Sequence, residues 1–127
     1  MTGEQERHEA LISGISTQMK SILESSQQAI YIYLDDIHKV CNKKFASMLG
    51  FRSPEEWAKG KDSFTMEFVD PGSQETLVNA YQQAMEKMIP ANIKVNWKKK
   101  TGGTVATTVV MVPIEYDNHL FAMHFIS

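Results

Sequence analysis

The sequence predicts one α+β domain: a five-stranded antiparallel sheet with helices on one face, preceded by an amphipathic N-terminal helix. Three observations predict it. Residues 4–23 show helical apolar periodicity, residues 40–57 contain two short helices with start and stop signals, and residues 92–126 alternate as strands. The resulting order after the first helix is β-β-α-α-α-β-β-β, and 127 residues are enough to bury one core.

The N-terminal segment, residues 1–24, is predicted to be an amphipathic helix ahead of a domain at residues 25–127. Its apolar side chains recur at helical spacing at Leu11, Ile12, Ile15, Met19, Ile22 and Leu23. Such a stripe needs cover, either from the back of its own sheet or from the same helix in a second subunit.

The first hairpin is predicted over residues 29–41. Ile30, Ile32 and Leu34 alternate with Ala29, Tyr31 and Tyr33, which sends successive side chains to opposite faces of a strand. A turn at residues 35–36 then leads to a second short strand over 37–41.

Two short helices follow, each with local start chemistry. Asn42 is suited to cap the first, and Gly50 to end it in the left-handed conformation. In the second, Ser53 is expected to accept from the Glu56 N–H while Glu56 accepts from the Ser53 N–H. Pro54 occupies the first helical position, where a missing N–H costs nothing.

The second half begins with a long helix and ends in strands. Asp70 and Pro71 predict a helix start, and the apolar spacing continues to about Met88, before Pro90. Glycines at 102–103 and the Asp-Asn pair at 117–118 predict hairpin turns. These turns separate the last three strands, near 92–98, 104–114 and 120–126.

The paired short helices resemble the PAS sensor-domain family, whose members show a strand-terminal Asn, an apolar short helix, Gly-aromatic and Ser-Pro-Glu-Glu. The matching residues are Val40, Asn42, Phe45, Leu49, Gly50, Phe51, Ser53, Pro54 and Glu55. Blocks at 68–71 and 100–103 resemble the start of the long PAS helix and the family's lysine-aspartate-glycine hairpin. The resemblance implies a sensory module and an N-terminal helix that packs on the sheet and forms a homodimer.

Composition narrows the class of partner. A net charge of −2 argues against nucleic acid, and Lys98, Lys99 and Lys100 are interpreted as a solvated strand edge. No apolar run reaches membrane-spanning length and no signal core is present, so no membrane partner is expected. Cys41 is the sole cysteine, which excludes an internal disulfide and favours a cytoplasmic location.

No residue pattern indicates catalysis, so a non-enzyme is predicted. The histidines, His8, His38, His119 and His124, lie far apart in the sequence without metal-ligand spacing, and no metal site is expected. The resemblance also disfavours two cofactors. Haem-binding members use a histidine on the long helix, which residues 73–88 lack, and flavin photoreceptors carry a Gly-x-Asn-Cys-Arg-Phe motif that is absent here.

A curved sheet crossed by helices leaves a cavity, and cavities are where small ligands bind. The residues predicted to line it are Tyr31, Tyr33, Phe45, Met48, Leu49, Trp57, Leu77, Tyr81, Met85, Val95, Trp97, Met111, Phe121 and Met123. The chain is therefore expected to be a non-catalytic sensor of a small, mostly apolar molecule, with a signalling protein as a further partner. A ligand-free dimerisation module and a small enzyme or ligand carrier on a related α+β fold remain alternatives.

Overall fold

The structure is a computed structural model that describes residues 3–60 and 62–127. The first two residues of the predicted N-terminal segment lie outside the described residues. In chain order the elements are α1 Gly3–Gln18, α2 Lys20–Ser25, β1 Ala29–Asp35, β2 His38–Cys41, α3 Lys43–Met48, α4 Pro54–Ala58, α5 Phe64–Phe68, α6 Pro71–Lys87, β3 Ala91–Lys98, β4 Thr104–Tyr116 and β5 His119–Ile126. None of the helices in this described part is long and apolar enough to cross a membrane.

The strands form one antiparallel sheet in the order β2-β1-β5-β4-β3, which confirms the predicted fold class. β5 is the central strand. It pairs with β1 on one side, where Ala29 lies opposite Ile126, and with β4 on the other, where Val109 lies opposite the same residue. The two halves of the sheet are thus joined by the last strand in the sequence.

The two faces of the sheet carry separate cores. On the cavity face, α3, α4 and α6 pack on the sheet over an aromatic core that includes Tyr31, Phe45, Trp57, Phe64 and Trp97. On the opposite face, called the α1 face, the core members from the helices and the sheet are Leu11, Ile12, Ile15, Leu23, Ile30, Ile32, Leu34, Phe121 and Met123. The N-terminal helix therefore covers the back of its own sheet.

The N-terminal helix is not continuous, contrary to the predicted stripe. The chain leaves helical geometry at Met19, with φ −94° and ψ 5°, and resumes as α2. The break rotates the next turn, so Leu23 is buried with the α1 face while Ile22 stays 48% exposed.

The short helices begin as predicted, with one difference. Asn42 Oδ1 accepts from the Phe45 N–H at 3.1 Å and also from the Ile30 N–H at 3.0 Å, so it joins β1 to α3. Ser53 Oγ accepts from the Glu56 N–H as expected, but the Glu56 carboxylate accepts from the Arg52 N–H, not from Ser53. Because the backbone is extended at Ser53, the N–H groups of Arg52 and Ser53 point in opposite directions. The N–H of Arg52 is the one that points toward the Glu56 carboxylate.

Candidate functional site

A partly open cavity of about 330 Å³ lies on the cavity face, between β1, α5 and α6. Its wall consists mainly of tyrosine and other apolar side chains, with polar groups from the β1–β2 turn and the start of α5. The lining residues are Tyr31, Tyr33, Asp36, Ser63, Phe64, Thr65, Leu77, Val78, Tyr81, Gln82 and His124. Neither lysine nor arginine is among them, so a positively charged side chain is not part of the described wall.

Tyr31 and His124 form a stacked pair within this wall. They are direct cross-strand partners on β1 and β5, and their ring centroids lie 3.9 Å apart with an interplanar angle of 9°. Both side chains are almost fully buried, with exposures of 1% and 2%. The sheet register thus holds the two rings face to face.

The buried pair is uncharged at neutral pH. Burial lowers the pKa of His124 to about 3, although backbone groups of Tyr31 and Ala122 partly oppose this by favouring the protonated ring. Burial also raises the pKa of Tyr31. Among the described residues, Nδ1 of His124 finds no hydrogen-bond partner of good geometry. Within residues 3–60 and 62–127, this buried nitrogen is therefore a polar atom whose hydrogen-bonding capacity is not satisfied.

Asp36 organises the polar side of the cavity. Its Oδ1 accepts from the Tyr33 hydroxyl at 3.1 Å and from the Phe64 N–H at 2.9 Å, so one carboxylate ties β1 to the start of α5. Burial, together with the Asp36 charge and hydrogen bond, raises the pKa of Tyr33 well above its ordinary value. Tyr81 packs edge-on against Tyr33, with ring centroids 5.6 Å apart.

Lys39 holds the loop before α5 in place. Its ammonium group donates to the carbonyl oxygens of Asp36 and Gly60, and it lies 5.5 Å from the centroid of the Trp57 ring. Lys39 is 3% exposed, and burial is the main cause that lowers its pKa. A buried cation with these partners stabilises the loop because removing it would leave carbonyl groups unpaired.

Four of the predicted lining residues, Tyr31, Tyr33, Leu77 and Tyr81, do line the cavity. Others belong to the core of the same face without reaching it: Phe45, Leu49, Trp57, Val95, Trp97 and Met111 are buried, and Met48 and Met85 pack partly buried against them. Whether any of these residues binds a ligand stays a prediction.

The prediction that Phe121 and Met123 face the cavity is wrong. Both lie in the core of the α1 face, because β5 sends Ala122 and His124 to the other side. None of the described lining residues is one of the four predicted methionines, Met48, Met85, Met111 and Met123.

Sequence reasoning missed His124, Asp36 and the α5 residues of the wall. The local pattern does not predict α5, because Phe64, Met66 and Phe68 alternate with polar residues as in a strand. Ser63 precedes the helix, but its side chain makes no capping hydrogen bond. Nor does any local pattern indicate that Asp36 reaches the N–H of Phe64, 28 positions later.

No protein-family model matches the sequence, and the comparison with curated proteins gives no significant match. Many solved structures are nevertheless similar. A PAS domain from Colwellia psychrerythraea has a TM-score of 0.69 at 19% identity, with 89% of this chain and 95% of that chain covered. A PAS domain from a two-component sensor histidine kinase has a TM-score of 0.66 at 11% identity, covering 91% and 97%.

A further similar structure is the PAS-B domain of Cycle from Drosophila melanogaster, with a TM-score of 0.64 at 12% identity and 78% and 97% of the two chains covered. These likenesses agree with the observed strand order and with the capped helices on the cavity face. The chain has the fold of a PAS domain.

Proposed function

We propose that this protein is a non-catalytic sensory module that binds a small, uncharged, mostly apolar molecule in the cavity between β1, α5 and α6. The observation that carries the proposal is the stacked pair of Tyr31 and His124, which contributes neutral rings to a wall that also contains Phe64, Leu77 and Val78. A ligand with one polar group among apolar atoms complements such a wall.

The size and charge of the cavity support this class of ligand. Its volume of about 330 Å³ lies at the small end of known ligand pockets. Asp36 adds a carboxylate to the wall, and an anionic ligand would bring a second negative charge close to it without a cationic partner. The Cycle PAS-B structure contains ethylene glycol, a small uncharged molecule, which is consistent with a ligand of this kind.

A blocking variant tests the proposal directly. Val78 lines the cavity from α6 and is 39% exposed, so Val78→Trp is expected to fill the space without disturbing the core. Asn79→Trp is the matched control, because Asn79 is the next residue on the same helix and lies outside this cavity. Small neutral aromatic alcohols should raise the melting temperature of the wild type and of the control but not of Val78→Trp.

Two results would contradict the proposal. One is a ligand screen in which only phosphates or dicarboxylates raise the melting temperature. The other is an equal response of Val78→Trp and Asn79→Trp, because binding would then occur elsewhere on the protein. Native mass spectrometry of unheated protein would identify a retained ligand and the oligomeric state in the same measurement.

The alternative function is self-association through the N-terminal helices, as a homodimer that signals to a partner protein. Ile22 on α2 is half-exposed and is the observation that favours it, while the inner stripe of α1 is already covered by the sheet. An Ile22→Lys variant should become monomeric in light scattering at micromolar concentration. A wild type that is itself monomeric there would rule out this alternative.

A cytoplasmic location belongs to the same proposal. It rests on the single cysteine, Cys41, which is buried and free.

A further inference from the structure

Two histidines and an aspartate meet on the opposite side of the β1–β2 turn from the ligand cavity. His8 comes from α1, Asp35 from the end of β1 and His38 from the start of β2. They border an open depression of about 480 Å³ that gives access from solvent. His8 is distant in the sequence from Asp35 and His38, and the packing of α1 on the sheet brings it to them.

Both imidazoles point the same nitrogen at one carboxylate. His8 Nδ1 lies 2.7 Å from Asp35 Oδ2, and His38 Nδ1 lies 2.8 Å from Asp35 Oδ1. One ligand atom from each of the three residues lies within 4.8 Å of the others. Tetrahedral ligand atoms around a zinc ion at about 2.0–2.2 Å are roughly 3.3 Å apart, so small side-chain rotations make room for an ion.

The second nitrogen of each imidazole faces a glutamate. His38 Nε2 lies 3.4 Å from a carboxylate oxygen of Glu9, and His8 Nε2 lies 4.0 Å from one of Glu4. Histidines that bind metals usually donate their other N–H to a carboxylate, which fixes the tautomer and the ring orientation. Glu9 is thus placed to accept from the His38 Nε2–H when the other nitrogen of that ring binds a metal.

Asp35 is held in position by the β1–β2 turn. Its Oδ1 accepts from the backbone N–H groups of Ile37 and His38, which leaves Oδ2 as the oxygen available to an ion.

We propose that His8, Asp35 and His38 form a site for a divalent first-row transition metal such as Zn²⁺, with Nδ1 of each imidazole and Oδ2 of Asp35 as ligands. Two nitrogens and one carboxylate oxygen are a donor set that zinc accepts, and water fills the open position. Each imidazole then carries its proton on Nε2, facing its glutamate. The ion joins α1 to the β1–β2 hairpin, so metal binding anchors the N-terminal helix.

Calorimetric titration of tag-free, EDTA-treated protein with zinc sulfate tests the site. Wild-type protein should bind one ion per chain, and His8→Ala should weaken the affinity by about tenfold or more. His119→Ala is the matched control, because its ring centroid lies 5.4 Å from that of His8 while the residue is not one of the three ligands. Zinc should raise the melting temperature of wild type and His119→Ala but not of His8→Ala.

Asp35→Asn provides a second, independent variant, because an amide oxygen can still accept from the two turn N–H groups while the charge is lost. It should also weaken zinc binding by about tenfold, with an unchanged far-ultraviolet circular dichroism spectrum. The proposal is overturned if wild-type protein shows no saturable binding up to about 1 mM zinc. It is equally overturned if His8→Ala binds like wild type, or if His119→Ala loses as much affinity as His8→Ala.

Discussion

The two faces of the sheet are packed from different kinds of side chain. The α1 face is mainly aliphatic, with Ile12, Ile15, Ile30 and Ile32 among its members. The cavity face adds large aromatic side chains to its aliphatic ones, and the Tyr31 ring contacts the rings of Phe45, Trp57, Phe64, Trp97 and His124. Branched aliphatic side chains interdigitate to high density, and aromatic rings pair at preferred distances and angles.

This difference shows how one sheet can serve two purposes. The aliphatic face fixes α1 against the back of the sheet, while the aromatic face keeps a cavity whose wall is rigid without being closed. Two of these rings are fixed by hydrogen bonds, since Trp97 Nε1 donates to Thr107 Oγ1 and the Tyr33 hydroxyl donates to Asp36 Oδ1. Four predictions test this difference between the faces.

The largest effect is expected at Trp97, which is fully buried on the aromatic face. Trp97→Ala should lower the free energy of unfolding by about 3–5 kcal/mol, because it removes a large buried ring and leaves a void. Lys94→Ala on the exposed side of the same strand should change it by about 0.5 kcal/mol or less. Equal denaturation midpoints for the two variants would show that the buried face of β3 has been misassigned.

His124 should make the aromatic face sensitive to acid. Its pKa is about 3 in the folded protein and 6.5 ordinarily, so between these values the unfolded chain binds a proton that the folded protein does not. The free energy of unfolding should therefore fall as the pH falls through this range, by up to about 1.4 kcal/mol per unit.

His124→Phe tests this pH dependence, because phenylalanine keeps a ring on Tyr31 and does not titrate. Urea denaturation at pH 6.5 and pH 5 should show about 2 kcal/mol less acid destabilisation in this variant than in wild type. Identical pH slopes for the two proteins would mean that His124 is protonated in the folded state.

Thr107 supports the aromatic face through a hydrogen bond. Its Oγ1 accepts from Trp97 Nε1 at 2.9 Å and donates to the Val95 carbonyl oxygen at the same distance. Thr107→Val should lower the free energy of unfolding by about 1–3 kcal/mol, because the indole N–H would be left unpaired. Thr104→Val, at an exposed position of the same strand, should have little effect, and equal losses would argue against the indole hydrogen bond.

The smallest effect is expected at the edge of the α1 face, where Ile22 and Leu23 are neighbours on α2. Ile22→Ser should change the free energy of unfolding by about 0.5 kcal/mol or less in a monomer, whereas Leu23→Ala should cost about 2 kcal/mol or more. Chemical denaturation checks both. A large loss for Ile22→Ser that grows with protein concentration would place this residue in an interface.

The parts of the fold that depend on neighbouring residues could be predicted from the sequence. Asn42 caps α3, Gly50 adopts a φ of 86°, and Asp117 and Asn118 both have positive φ in their turn. Each of these features requires a particular residue type within a few positions, so it is written in the local sequence.

The site could be predicted only in part, and the reason lies in β5. This strand is buried on both faces, so polar and apolar residues do not alternate along it and its orientation cannot be read from the pattern. If the orientation of β5 is shifted by one residue, Met123 takes the place of His124 on the cavity face. This shift accounts for the wrong prediction that Met123 lines the cavity. The β1–β2 turn poses a similar problem, because Asp35 and Asp36 are adjacent in sequence but serve opposite sides of the hairpin.

The central place of β5 also has a consequence for how the chain folds. Its pairing with β1 joins Ala29 to Ile126, so the middle of the sheet closes only after almost the whole domain has been synthesised. Closing so large a loop is entropically costly, and contacts of this range slow folding. While a nascent chain waits for β5, the inner edges of β1 and β4 remain unpaired, and this interval is when it is most prone to aggregate or to need a chaperone.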